Sequence, residues 1–177
     1  MNNIPNKIVI IGYMGSGKST IGKNLALNLN YKFIDLDDYI VENEEISINE
    51  LFEMKGQDYF RKTELKYLKK IFKSEKQIVL SLGGGTPTIK NVMNFVNKNS
   101  YSIYLKANDL TLTDRLLPIK SKRPLLKHLS EETIQSFVAE HLKERATFYE
   151  KANWILEVNE YDENEVLNLI LSHLKSL

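Results

Sequence analysis

The stretch Gly12-Tyr13-Met14-Gly15-Ser16-Gly17-Lys18-Ser19 decides the fold of this 177-residue chain. It matches the phosphate-loop pattern G-x-x-x-x-G-K-[ST] without a gap. The apolar run Ile8–Ile11 comes before it and predicts a buried strand, while the helical spacing of Ile21, Leu25 and Leu29 follows it. A strand, a glycine-rich loop and a helix in this order predict a nucleotide-binding site.

The residues of this loop have the chemistry that a triphosphate requires. Gly15 and Gly17 let backbone N–H groups face a phosphate chain at a helix N-terminus, where the helix dipole favours negative charge. Lys18 would reach the β- and γ-phosphates, and the Ser19 hydroxyl would bind Mg²⁺. The alternative is an ordinary glycine-rich turn, but four fixed positions match by accident with a chance on the order of 1 in 200.

The rest of the chain alternates between strand and helix patterns. Ser47 and Glu50 fit a capping box, and Gly56 is expected to end one helix before the next begins. Strands separated by helices pair in parallel through crossovers, so the pattern predicts an α/β three-layer sandwich in one domain, residues 1–177. The predicted strands after the first are 33–37, 78–82, 101–105 and 154–158, and the predicted later helices are 38–55, 57–73, 88–97, 108–117, 130–150 and 162–176.

Composition excludes several classes of protein. Lys and Arg number 24 against 23 Asp and Glu, a formal net charge of +1, so we expect neither a nucleic acid nor a membrane as partner. The absence of cysteine excludes disulfides and thiolate chemistry. Ile8–Ile11 is too short for a signal-peptide core, so a cytoplasmic protein is expected. His128, His141 and His173 show no metal-ligand spacing.

Two aspartates stand at the carboxyl end of the second predicted strand. Asp35 and Asp37 are two residues apart, so in an extended chain both side chains leave the same face. Asp35 could hold Mg²⁺ through water, and Asp37 could accept a hydrogen bond from an acceptor hydroxyl and act as its base. The alternative is that both residues begin the following helix and interact with its dipole.

Two arginines lie on mostly apolar helix faces. Arg61 is in helical register with Leu65 and Leu68, and Arg145 with Val138 and Leu142, so both are expected to point inward. A buried guanidinium needs a partner, and its planar shape suits a carboxylate or a phosphate. Internal partners, such as Glu64 or Asp58, are the structural alternative for each arginine.

Two further segments suggest a ligand cleft. Gly83, Gly84 and Gly85 follow the third strand on the same rim as the phosphate loop, where missing side chains let a ligand approach the backbone. The alternative is merely a tight turn. The basic segment 118–128 is predicted to be a loop that closes as a lid over bound substrates, or else a solvated charged loop. Together these features predict an acceptor that is a small alcohol with a carboxylate.

The motifs described above are similar to those of a known family. The chain resembles the shikimate kinases in six segments that occur in the family's order. These segments are GYMGSGKST at 12–20, DLD at 35–37, FRKTE at 60–64, SLGGG at 81–85, RPLL at 123–126 and RATFY at 145–149. The resemblance implies a five-stranded parallel sheet in the order 2-3-1-4-5 and transfer of the γ-phosphoryl of ATP to the 3-hydroxyl of shikimate, on the route to chorismate and the aromatic amino acids.

The resemblance also implies roles for single residues. Shikimate would be bound by Asp37, Arg61, the glycine run with Gly84 at its centre, and Arg145. The nucleotide phosphates would be held by Gly15, Ser16, Gly17, Lys18, Ser19 and Thr20, with Lys18 stabilising the transferring group. Arg123 would reach the phosphates from the mobile lid, and Arg115 would lie against the adenine. Mg²⁺ would be held by Ser19, with Asp35 acting through water, because no aspartate ends the third strand.

Two other functions stay open from the sequence. One is a different small-molecule kinase of the same architecture, acting on a sugar acid such as gluconate or on a nucleoside monophosphate. The other is a non-catalytic nucleotide-binding regulator that keeps the fold. A protein that had lost catalysis would not need Lys18, Ser19 and Asp37, and all three are present. A monomer is expected.

Overall fold

A computed structural model describes residues 4–122 and 125–177 of the chain. Its strands form one parallel sheet in the order β2-β3-β1-β4-β5, which confirms the predicted order. Val9, at the centre of the sheet, lies opposite Leu80 on one side and Ser102 on the other. The strands are β1 (Lys7–Ile11), β2 (Lys32–Asp35), β3 (Ile78–Ser81), β4 (Tyr101–Lys106) and β5 (Trp154–Glu157).

Helices flank this sheet and complete the predicted α/β architecture. They are α1 (Lys18–Leu29), α2 (Leu36–Glu44), α3 (Ile48–Ser74), α4 (Val92–Asn99), α5 (Asp109–Leu116), α6 (Glu131–Tyr149) and α7 (Glu163–Lys175). The predicted capping box at Ser47 and Glu50 begins α3, and Gly56 interrupts this helix with a φ of 77° and a ψ of 172°. Among the described residues, no helix is long and apolar enough to cross a bilayer.

The core places the ligand-binding edge of the sheet. Ile8, Val9, Ile10 and Ile11 have no exposed surface, because neighbouring strands and helices cover β1 on both faces. All strands run in the same direction, so their carboxyl ends meet at one rim. In open sheets of this type ligands bind at that rim, and it carries the phosphate loop, Asp35 and the glycine run 83–85.

The structure corrects the prediction for the two aspartates. The second strand ends at Asp35, and Asp37 lies in the first turn of α2 rather than in an extended chain. Asp35 is the N-cap of α2, where its Oδ1 accepts a hydrogen bond of 3.1 Å from the Asp37 backbone N–H. Asp35 and Asp37 therefore do not share one face of a strand, so that prediction is wrong, and the alternative, that these residues begin the helix, describes the backbone correctly.

Three other boundaries also differ from the predictions. The predicted helix 38–55 is split, because Glu45, in the left-handed conformation, ends α2 and Ser47 caps the start of α3. The predicted helix 88–97 is split, because a 3-10 turn at Thr86–Thr88 is followed by Asn91 in the left-handed conformation before α4 begins. The predicted loop 118–128 begins inside a 3-10 helix, Leu117–Lys122, and residues 125–128 form turns. Two helix-disfavouring features, the left-handed Asn91 and Pro118 in the 3-10 helix, accompany the last two differences.

Candidate active site

The phosphate loop adopts a backbone that its glycines permit. Gly15 and Gly17 have φ values of 82° and 90°, in the left-handed region where a β-carbon is strained. Gly17 is the N-cap of α1, so the first helical turn, at the positive end of the helix dipole, begins within the loop. Lys18 is 9% exposed, and its Nζ donates a hydrogen bond of 2.8 Å to the Tyr13 carbonyl, which holds the ammonium group within the loop.

The hydroxyl and the carboxylate predicted for a metal ion lie together. Ser19, in the first turn of α1, donates a hydrogen bond of 2.7 Å from its Oγ to Asp35 Oδ2. Asp35 therefore uses one carboxylate oxygen to cap α2 and the other to bind Ser19. This pair joins the phosphate loop to the end of β2 and presents oxygen ligands to the space between them.

A cavity of about 580 Å³ brings most of the predicted site residues together. It extends from the phosphate loop to the glycine run after β3, with Phe52 and Phe60 of α3 among its apolar walls. The predicted site residues that line it are Gly15, Gly17, Lys18, Ser19, Thr20, Asp35, Asp37, Arg61, Gly83, Gly84, Gly85, Arg115 and Arg145.

Asp37 is the carboxylate in this cavity with the most perturbed titration. Burial, and then the negative charges of Asp35 and Glu64, raise the pKa of Asp37 to about 6, while Lys18 opposes the shift. A carboxylate with such a pKa is ionised at neutral pH and still takes up a proton more readily than an ordinary aspartate. This is the property that a general base for an alcohol requires.

Arg61 forms an ion pair with a buried carboxylate. Its Nη1 donates to Glu64 Oε2 at 2.5 Å, and Glu64, which is only 1% exposed, also accepts a hydrogen bond from the Thr86 hydroxyl. Burial raises the pKa of Glu64, and the positive charge of Arg61 opposes the shift. A guanidinium has five N–H donors, so Arg61 can hold Glu64 and still bind a ligand anion. The predicted internal partner Glu64 and the inward-facing cavity position are therefore both observed.

Arg145 reaches the same cavity from α6. Its Cζ lies 5.9 Å from the centroid of the Tyr13 ring, within range of a cation–π contact. One turn further along α6, the Tyr149 hydroxyl donates a hydrogen bond of 2.6 Å to the Gly84 carbonyl. Helix α6 thus supplies a cation to the cavity and fixes the central glycine of the run.

The three glycines after β3 each face one charged side chain of the site. A β-carbon at Gly83 would lie 2.6 Å from Asp37 Oδ1, one at Gly84 would lie 3.3 Å from Arg145 Nη1, and one at Gly85 would lie 2.7 Å from Arg61 Cζ. None of the three has a positive φ, so the backbone conformation does not require glycine here. Glycine is needed because the side chains of Asp37, Arg145 and Arg61 occupy the space that a β-carbon would fill. The alternative of a merely tight turn therefore does not explain the three glycines.

Ser16 is not among the residues that line this cavity, and Arg115 lines both it and a second cavity. Arg115 is exposed, donates at 3.3 Å to the Val158 carbonyl, and also lines a second cavity of about 360 Å³ beside the phosphate loop. Ser16 lines that second cavity, and its buried Oγ has no hydrogen-bond partner among the described residues. Arg123, predicted for the lid, lies outside the described residues.

Sequence reasoning missed several residues that shape the site. Glu64 entered only as an internal partner of Arg61, and its spacing of three residues on one helix was the available signal. Tyr149 has the same signal, since it follows Arg145 by four residues. Tyr13 gave no signal, because its contacts with α6 join residues far apart in the chain.

The fold and the cavity together define a class of protein. The parallel sheet carries a phosphate loop at the end of its central strand, and a carboxylate and two arginines share a cavity with that loop. This arrangement is that of a phosphate-loop kinase whose acceptor is a small molecule.

Comparison with known proteins gives the family. A family model for shikimate kinase matches residues 14–175. A shikimate kinase of Flavobacterium psychrophilum is 43% identical over 155 residues, which cover 87% of this chain and 90% of that protein. The chain belongs to the shikimate kinase family and is an ATP-dependent kinase, a transferase with an alcohol group as acceptor.

Solved structures agree with this assignment. A shikimate kinase from Bacteroides thetaiotaomicron has a TM-score of 0.89 at 32% identity, covering 97% of this chain and 99% of that one. A shikimate kinase from Acinetobacter baumannii, solved in complex with shikimate, has a TM-score of 0.87 at 29% identity, covering 99% and 95% of the two chains.

Proposed function

We propose that this chain transfers the γ-phosphoryl group of ATP to the 3-hydroxyl of shikimate, giving shikimate 3-phosphate and ADP. The observation that carries the proposal is the single cavity in which Arg61, Arg145 and Asp37 lie beside the phosphate loop. Two cations and a carboxylate match an acceptor that carries a carboxylate and hydroxyl groups. In this role the enzyme serves the route to chorismate and the aromatic amino acids.

The acceptor is bound by groups that approach it from three elements. Arg61 of α3 and Arg145 of α6 bind the shikimate carboxylate, since paired guanidinium donors match its planar oxygens. Asp37 of α2 accepts hydrogen bonds from the shikimate hydroxyls. Gly83, Gly84 and Gly85 form the floor beneath these side chains and let the acceptor come close to the backbone.

Phosphoryl transfer follows from this placement. Asp37 takes the proton from the 3-hydroxyl of shikimate while the oxygen of that hydroxyl bonds to the γ-phosphorus. The bond between the γ-phosphorus and the ADP oxygen breaks at the same time. Lys18 stabilises the negative charge that develops on the phosphoryl oxygens. The raised pKa of Asp37 supports this role, because a stronger base removes the hydroxyl proton more readily.

The nucleotide is assigned to the phosphate loop and its surroundings. Backbone N–H groups from Gly15 to Thr20 bind its phosphates at the N-terminus of α1. The second cavity, lined by Arg115 and Ser16, has room for the base. For Arg123 and for a mobile lid over 118–128 the proposal rests on the sequence resemblance alone.

The residues present fit Mg²⁺. The ion prefers few protein ligands and keeps most of its waters, and Ser19 with Asp35 supplies this kind of oxygen donor set. Because the Ser19 hydroxyl donates its hydrogen bond to Asp35, the lone pairs of its oxygen stay available to a cation. When bound, Mg²⁺ would offset the charge of the phosphates, and Asp35 would contact it through water.

The two alternatives fit the cavity less well. A nucleoside monophosphate carries a phosphate in place of a carboxylate and a bulky base, and gluconate has a carboxylate but a longer, flexible chain. A non-catalytic regulator would have no need of a base with a raised pKa beside Lys18. We further propose one kinase domain over residues 1–177 that acts as a monomer in the cytoplasm.

An acceptor panel tests the proposed function. ADP release is measured with ATP, Mg²⁺ and, in turn, shikimate, quinate, gluconate and AMP, and the phosphorylated product is identified by mass spectrometry. The proposal expects turnover with shikimate at a kcat/KM well above that with the other three compounds. A higher kcat/KM with gluconate or AMP would favour the rival kinases, and ADP release with no acceptor preference would contradict the proposal.

A further inference from the structure

Tyr13 occupies the second position of the phosphate loop, yet its side chain leaves the loop. The ring is 1% exposed, and the hydroxyl lies 2.9 Å from Nδ1 of His141 on α6. The rings of Tyr13 and His141 meet edge to face, with centroids 5.5 Å apart and planes at 86°. This contact joins two segments separated by 128 residues in the chain.

His141 and Arg145 are four residues apart on α6 and so lie on the same face of that helix. The Arg145 guanidinium carbon is 5.9 Å from the centroid of the Tyr13 ring. Tyr13 therefore contacts α6 at two points, with its hydroxyl on His141 and with its ring against Arg145. A cation over an aromatic face has a preferred position, so these contacts restrict where the guanidinium lies.

The backbone of Tyr13 has a different set of partners. Its carbonyl accepts hydrogen bonds from Lys18 Nζ at 2.8 Å and from the Ser16 N–H at 3.2 Å. Both partners belong to the phosphate loop. The main chain of Tyr13 thus supports the nucleotide side of the cavity, whereas its side chain supports the acceptor side.

We propose that Tyr13 is a positioning residue for the acceptor: its ring and hydroxyl hold Arg145 over Gly84, so that a change within the phosphate loop weakens acceptor binding and leaves nucleotide binding unchanged. The proposal rests on the proposed function, because Arg145 is assigned there to the shikimate carboxylate. Under this proposal the backbone of Tyr13 supports nucleotide binding and its side chain supports acceptor binding. If the phosphate loop acted only on phosphates, a change in the Tyr13 side chain would not affect acceptor binding alone.

The test is the Tyr13→Phe variant, which keeps the ring and the whole backbone and removes only the hydroxyl. Losing this hydrogen bond is expected to raise the KM for shikimate about two- to tenfold, with the KM for ATP at saturating shikimate and the Kd for ADP unchanged. His141→Phe removes the same bond from α6 and should reproduce the effect if Tyr13→Phe folds poorly.

The chain offers a matched control. Tyr101 and His173 form a second tyrosine–histidine hydrogen bond, of 2.7 Å, and neither residue lines the cavity described above. Tyr101→Phe should therefore leave both KM values unchanged. In addition, Tyr13→Phe should have no further effect on shikimate binding in an Arg145→Ala background, because the hydroxyl acts through Arg145.

The outcomes separate this inference from the proposed function. If the unmodified enzyme phosphorylates shikimate and Tyr13→Phe has the same KM for shikimate, the inference fails and the function stands. An equal rise in the KM values for shikimate and ATP would also overturn it, as would additive effects of the Tyr13 and Arg145 substitutions. If the unmodified enzyme does not phosphorylate shikimate, both proposals fail.

Discussion

The guanidinium of Arg61 lies directly against Gly85, so close that a β-carbon at position 85 would be 2.7 Å from Arg61 Cζ. Gly85 has a φ of −91° and a ψ of −18°, a conformation that any residue adopts. Glycine at this position therefore serves the placement of Arg61 rather than the course of the backbone. The same holds for Gly83 under Asp37.

Gly85→Ala should accordingly damage binding more than folding. The added methyl group displaces the Arg61 guanidinium, which can shift on its flexible stem, so we expect the loss of unfolding free energy to stay below the loss of about 1–3 kcal/mol that removing the cation beside Glu64 would cause. Arg61 is proposed to bind the acceptor, so kcat/KM for shikimate should fall about 10- to 100-fold. Gly84→Ala is the graded comparison, because its β-carbon would lie 3.3 Å from Arg145 Nη1 and should cause a smaller loss. Denaturant unfolding and steady-state kinetics check both, and a large loss of stability in Gly85→Ala with normal kcat/KM would contradict the explanation.

Replacing Arg61 should have two separable effects. Arg61→Ala is expected to weaken shikimate binding by about 2–5 kcal/mol with ADP binding largely intact, because a ligand carboxylate loses its charged partner. It also leaves Glu64, 1% exposed, without its cation, which should cost about 1–3 kcal/mol of folding stability. Isothermal titration and denaturant unfolding measure the two quantities.

The double variant Arg61→Ala with Glu64→Gln separates them. Neutral Gln needs no cation and can still accept the Thr86 hydrogen bond, so stability should return most of the way while shikimate binding stays weak. Recovery of shikimate binding along with stability would show that Arg61 acts only as a structural partner.

The pH dependence of acceptor use should report Asp37. A base must be ionised, so kcat/KM for shikimate should fall as the pH drops through about 6, the pKa of Asp37. The charge of Asp35 contributes to that raised pKa, and Asp35→Asn should therefore move the acid limb to lower pH. The relevant measurement is the position of the limb rather than the rate, since Asp35 is also proposed to act on Mg²⁺. An acid limb near pH 4 in the unmodified enzyme would contradict a base with the raised pKa of Asp37.

Asp37 should also make the fold less stable at high pH. Its pKa is raised from 3.8 to about 6, so the folded chain binds this proton more tightly than the unfolded chain does. Stability from this group is therefore fully present below about pH 4 and is lost as the pH rises through about 6. Asp37→Asn removes the effect, and its gain in unfolding free energy over the unmodified chain should grow by up to about 3 kcal/mol between pH 4 and pH 8. Denaturant unfolding at the two pH values checks this, and an equal gain at both would contradict it.

Most of the fold could be predicted from local sequence patterns. The run Ile8–Ile11, the loop that follows it and the capping box at Ser47 depend on neighbouring residues, so their strand, turn and helix start could be predicted correctly. Asp35 and Asp37 show the limit of such patterns. Both were expected on a strand, but α2 begins at Leu36 because the Asp35 side chain caps it. The backbone after Asp35 can either extend the strand or begin a helix, and the cap favours the helix.

The sequence by itself determined the phosphate loop, the alternation of strands and helices, and the set of charged residues suited to a carboxylated acceptor. These follow from spacing along the chain, where periodicity and residue type act directly. Only the tertiary structure decided that Gly85 faces Arg61, that Thr86 holds the carboxylate of Glu64, and that Tyr13 contacts α6. Such contacts join distant segments, and their geometry depends on how helices pack on the sheet, which no local pattern records.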